Sequence, residues 1–161
     1  MTDLITPEDF GAVNSSLRAI VFLWVNWSFQ ARHSKRTFDE LLARWEHEMA
    51  DVPIAAFAID VSVQEGKTWE ATRTWLQSQQ QPVDELTFSG CGGLLWLRSG
   101  QVVAHSMSAS GYEQDELFAF TKSVFELDDI PVINSSKLSE LASKYQPPQW
   151  WYEGDEENLF D

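Results

Sequence analysis

The feature that most constrains this chain is the run Ala19-Ile20-Val21-Phe22-Leu23-Trp24-Val25, together with the helical pattern beyond it. Seven apolar residues of strand length end at Asn26-Trp27-Ser28. The helical pattern then begins, with Phe38, Leu41, Leu42, Trp45 and Met49 recurring on one face. A strand without polar alternation is buried on both sides, so a layer of helices is required above and below it. A buried strand feeding a helix also aims the free N–H groups of the helix's first turn at whatever lies beyond the strand's end. Ser28 stands at that turn, as a helix cap or as a polar group in a site.

Downstream, Pro53–Asp60 reads as a second apolar strand, so strand, helix and strand form a crossover with parallel neighbours. Ser62 and Glu65 have capping-box spacing ahead of a helix from Thr68 to Gln79 that carries Trp69, Thr72, Trp75 and Leu76. Leu94–Arg98 and Gln101–His105, separated by Ser99-Gly100, predict a hairpin. Ser110 and Glu113 predict a second capping box, opening a helix with Leu117, Phe120, Val124 and Phe125 on one face. Asp3-Leu4-Ile5 is a short strand candidate, and Thr6-Pro7 reads as a helix start. The expected architecture is α/β, a central mixed sheet with helices on both faces.

The wording of several stretches resembles the thioredoxin-like superfamily. Trp24-Val25-Asn26-Trp27 is similar to that family's Trp-x-x-Trp, and Ser28-Phe29-Gln30-Ala31 takes the place of its Cys-x-x-Cys, followed by the basic Arg32. Gly90-Cys91-Gly92-Gly93 and the hairpin after it resemble the segment built around the family's cis-proline, with Gly92 at the proline position. The resemblance covers roughly residues 3–127 and implies a thioredoxin-like domain over 1–127, with an inserted segment near 61–89. A C-terminal extension over 128–161 comes after it. The resemblance also implies that Phe22 stands where the family keeps a buried acid.

Disulfide exchange needs an attacking thiolate and a resolving thiol. With Ser28 and Ala31 at the two cysteine positions, the expectation is a redox-inactive member. Its inherited groove, bounded by Trp27, Ser28, Phe29, Gln30, Cys91 and Gly92, would receive a protein or extended peptide segment as an accessory or chaperone-like module. No catalytic residue and no cofactor is expected on this reading. An alternative makes Cys91, the only cysteine, the nucleophile of a peroxidase or glutathione-transferase-like enzyme, supported by Ser28 or Arg32. The bland reading of Cys91 is a small apolar filler at a strand edge.

No Cys-x-x-Cys or His-x-x-x-His spacing occurs, and His33, His47 and His105 are scattered, so no metal site is expected. The glycines at 90–93 precede a strand rather than a helix, which is the wrong context for a phosphate loop.

The tail differs in character. Residues 126–161 hold 9 acids against 2 bases, and the whole chain of 161 residues has 25 acids against 11 bases, a net charge of −14. That balance argues against nucleic acid or an anionic membrane and favours a basic partner. Ser136 is a candidate cap for a short helix with Leu138, Leu141 and Tyr145. Pro147-Pro148 then leads into Trp150-Trp151-Tyr152 and the acidic Asp155-Glu156-Glu157. Those three aromatics are either anchors against the chain's own domain or a surface for a partner, and a third reading makes this tail the working interface. With one cysteine and no basic-apolar leader, the expected compartment is the cytoplasm.

Overall fold

The computed structural model describes residues 10–88 and 90–126, with the backbone alone at Phe88. The expected strand at 3–5, the helix start at Thr6-Pro7 and every reading on 127–161 lie outside the described residues. These include the tail helix and the anchors Trp150, Trp151 and Tyr152.

The described chain is α/β. In order it runs α1 (Phe10–Ser15), β1 (Arg18–Trp24), α2 (Phe29–Glu48), β2 (Ala55–Asp60), α3 (Lys67–Ser78), α4 (Val83–Phe88), β3 (Leu94–Arg98) and β4 (Gln101–Ser106). A 3-10 turn (Ala109–Gly111) and α5 (Gln114–Val124) complete it. The strands form one mixed sheet in the order β2-β1-β3-β4. β1 and β2 run parallel, with Val21 opposite Phe57 and Trp24 opposite Asp60; β3 is antiparallel to β1 and to β4.

β1 is the central strand because both its faces are apolar. Ala19, Val21 and Leu23 pack with α1, α3 and α4 through Phe10, Val13, Trp75 and Leu86. Ile20 and Phe22 face the other way, into the layer of α2 and α5, with Phe38, Trp45, Leu117 and Phe120. Side chains alternate across a strand, so one continuous apolar run feeds two cores. Trp45, Trp69 and Trp96 are buried, as their periodic settings imply.

The hairpin turn has Ser99 at φ +50° and Gly100 at φ +80°, the paired left-handed geometry that matches strand twist. A side chain at Gly100 would lie 2.2 Å from the Asn14 carbonyl oxygen, so α1 sits directly on this turn. Asn14 also accepts from Trp75 Nε1 at 3.0 Å, which ties α1 to α3. Between Trp96 and Leu97 the register with β4 shifts, leaving Val103 exposed on the edge strand.

Both expected capping boxes are corrected. Ser62 faces back to the end of β1: its hydroxyl accepts from Asn26 N–H at 2.8 Å and its own N–H donates to Asp60 at 2.9 Å. α3 is preceded instead by Gly66 at φ +93°, with no side-chain cap. Ser110 lies in the 3-10 turn, its N–H donating to Ser34, so α5 begins only after the extended Glu113. In each case a tertiary hydrogen bond takes the serine that local spacing assigned to a helix end. β2 begins at Ala55 rather than Pro53. The short helix α4, between Gln81-Pro82 and the glycine loop, had no distinguishing sequence signal.

Candidate functional site

The C-terminal end of β1 delivers Asn26-Trp27-Ser28 to the start of α2. Ser28 is the N-cap, with extended backbone (φ −107°, ψ 129°), and its hydroxyl accepts from Ala31 N–H at 3.2 Å. The side chain therefore satisfies one of the helix's otherwise unpaired donors. Ala31 is fully buried behind it.

The glycine loop comes down on this helix start. Gly90 and Gly92 have φ +65° and +77°, a region costly for any residue with a side chain. The room is also taken. A Cβ at Gly90 would stand 2.7 Å from the Trp27 ring and 3.5 Å from Ser28 Cβ; one at Gly92 would stand 2.6 Å from Ser34 Cβ and 3.0 Å from the Phe22 ring. Glycine is required at both places by backbone angle and by close approach. Phe22 fills the space beneath Gly92, stacked on Phe38 at 5.3 Å and wholly buried.

Between the two glycines, Cys91 is partly buried and its Sγ donates to Gln30 Oε1 at 3.0 Å, so the thiol is engaged by α2's first turn. Of the six groove residues expected from sequence, Trp27, Ser28, Gln30, Cys91 and Gly92 are brought together around this helix start. Phe29 is half-buried with its ring edge-on to His33, 4.6 Å between centroids. Trp27 is the exposed member, 49% accessible. On an otherwise close-packed seam it presents a large aromatic face to solvent.

A hydroxyl network fastens the loop, and sequence reasoning did not find it. Ser34 Oγ donates to the Cys91 carbonyl, accepts from Ser110 N–H at 3.2 Å and lies 3.1 Å from Ser108 Oγ. Ser108 and Ser110 hydroxyls are 2.9 Å apart, and Ser106 Oγ is 2.9 Å from Tyr112 OH while donating to the Ser108 carbonyl at 3.1 Å. The Gly92 carbonyl accepts from Ala109 N–H at 3.1 Å, and Gly93's from Leu23 N–H at 2.9 Å. The one available signal was Ser106-x-Ser108-x-Ser110, which reads locally as ordinary loop composition. Buried hydroxyls satisfied by one another specify a single loop geometry. Burial raises the Tyr112 phenol from 10.0 to about 12, so it stays protonated as a hydrogen-bonding group.

The histidines remain apart. His33, on α2, has its pKa lowered by partial burial and by Arg36; His105, on β4, is lowered by burial, opposed by Glu85. His47 ends α2 at the opposite pole. Among the described residues no three His, Cys, Asp or Glu side chains cluster so as to hold a metal ion, and no helix is long and apolar enough to cross a membrane. No protein-family model matches the chain, and no curated protein matches its sequence.

Proposed function

We propose that this chain is a redox-inactive thioredoxin-like protein that binds an extended peptide segment of another protein at the start of α2, as an accessory or chaperone-like module. The observation that carries the reading is the seam itself. A helix start and a glycine loop meet as a peptide-receiving site would require, yet every position that would host dithiol chemistry holds something inert. Ser28 is occupied as a cap, Ala31 is buried, and Phe22 is part of the core. The exposed Trp27 beside the loop is the natural anchor for an incoming side chain, since aromatic residues at partly desolvated sites often dominate binding energy.

The parallel β1–β2 pair, the antiparallel hairpin beside β1 and the helices on both faces agree with the thioredoxin-like resemblance. The cytoplasm is the compartment this reading assigns. The thiol-enzyme alternative is less well supported, because the Cys91 thiol proton is already committed to the Gln30 side-chain carbonyl.

Fluorescence-polarisation screening of a library of extended peptides, basic sequences included, tests the proposal. Trp27→Ala is expected to weaken the selected peptides at least tenfold, and Cys91→Ser to leave them bound. Equal binding by Trp27→Ala refutes the site. Rapid native-state alkylation of Cys91, with turnover of peroxide or a glutathione conjugate that Cys91→Ser abolishes, refutes the accessory reading in favour of the enzyme.

A further inference from the structure

Among the described residues the large apolar side chains left exposed are Leu17, Trp27, Val63 and Val103. Leu17 precedes β1, and Val103 lies on the edge strand β4. Each stands by itself, and single exposed apolar residues are ordinary on a protein surface. Trp27 and Val63 are different, because both follow the C-terminal ends of the parallel pair β1 and β2. Ligands of open α/β sheets are received at that end of the strands.

The two chains stay tied beyond their last paired residues, Trp24 and Asp60. Val61 N–H donates to the Trp24 carbonyl at 2.8 Å, and Asn26 N–H donates to Ser62 Oγ at 2.8 Å. Ser62 is itself held by its N–H on Asp60 Oδ1 at 2.9 Å. Trp27 and Val63 are each the next residue after the tie between Asn26 and Ser62. Val63, 63% exposed, is open to solvent even further than Trp27. It is also stiff at χ1, as a β-branched residue on an anchored loop, so seating a ligand on it costs little ordering entropy.

The spacing sets what could cross both. The Trp27 ring rests towards Gly90, whose loop enters β3 on the side of β1 away from β2. Val63 follows β2, on the other side. The two contacts are therefore one to two strand spacings apart, about 5–10 Å. Same-face side chains of an extended chain recur about every 7 Å. A segment laid across the strand ends with one side chain on Trp27 brings the next side chain of that face to Val63. Asn26, exposed at the tie between them, carries an amide that can both donate to and accept from a passing backbone.

We infer that Val63 is a specificity-determining contact of the peptide site, reading the side chain two residues along from the one seated on Trp27. The segments selected are then extended and apolar-x-apolar in pattern. This inference rests on the peptide-binding reading of the seam.

Fluorescence polarisation on the full chain tests it, with labelled heptapeptides of Ser, Thr and Lys that carry Leu at positions 3 and 5, at 3 and 4, or at 3 alone. The peptide with Leu at 3 and 5 is expected to bind about tenfold more tightly than either of the others. Val63→Ser should abolish that advantage and leave the affinity for the single-Leu peptide unchanged. Leu17→Ser, at the opposite end of β1, should alter neither. Both substitutions fall at exposed positions, where the fold tolerates them; urea denaturation checks this. Native affinity of Val63→Ser for the 3,5 peptide overturns the inference, as does equal binding of the 3,4 peptide by the native chain. If Trp27→Ala weakens binding and Val63→Ser does not, the seam site stands and the inference alone falls. If none of these peptides binds while a library peptide does, the inference again falls alone. If no peptide of either set binds, both fall.

Discussion

Alanine at Gly92 isolates how tightly the glycine loop is held against α2, because three glycines in this chain separate the contributions. Gly11 lies in α1 with nothing within 4 Å of an added Cβ and with ordinary helical backbone. Gly11→Ala is expected to stabilise the protein by about 0.4–1 kcal/mol through a less mobile unfolded chain. Gly66 also has open space, but its backbone (φ +93°, ψ −179°) belongs to glycine alone. Gly66→Ala carries a backbone cost of about 1–3 kcal/mol. Gly92 combines a left-handed backbone, about 1–2 kcal/mol, with contacts at 2.6 Å and 3.0 Å that neither the α2 backbone nor the Phe22 ring can readily yield. Overpacking of that kind adds about 1–3 kcal/mol. Gly92→Ala should therefore lose roughly 2–5 kcal/mol, a large share of the 5–15 kcal/mol typical of a domain. Urea denaturation followed by far-ultraviolet circular dichroism measures all three. A Gly92→Ala chain that loses less than about 2 kcal/mol would refute the close seating of the loop, and with it the rigid seam on which the proposed site depends.

Ser28→Ala removes the α2 cap and should cost about 1 kcal/mol, whereas Ser28→Asp, another capping side chain, should retain most of the stability in the same denaturation experiment. Tyr112→Phe should cost about 0.5–1.5 kcal/mol at neutral pH and alter the alkaline limb. The phenol's folded pKa lies above its unfolded one, so its contribution is complete below pH 10 and falls away between pH 10 and about 12. Stability measured across that window should decline less steeply for Tyr112→Phe than for the native chain, and identical slopes would show that the phenol is not buried as described.

The way the chain folds was legible wherever a side chain's role depended on its immediate neighbours. The apolar run at 19–25 announced a strand buried on both faces, and the spacing of Phe38, Leu41 and Trp45 announced the helix that covers it. Ser99-Gly100 marked the hairpin, because a two-residue turn needs positive φ and only a few residues tolerate it. Ser28 was readable as a cap, since a cap bonds within its own helix turn.

What only tertiary structure decided lies between residues distant in sequence. Ser62 and Ser110 had the local spacing of caps, but Asn26, 36 residues away, and Ser34, 76 residues away, claimed them. Gly90 and Gly92 could be seen as glycines, but that Trp27, Ser34 and Phe22 fill their side-chain space emerges only from laying the loop on α2. The serine network and the pairing of Cys91 with Gln30 belong to the same class. Periodicity is written in contiguous residues, and so is a cap such as Ser28 that bonds within its own helix turn. A seam between a helix start and a loop sixty residues on is set by how the layers pack, which no local pattern contains.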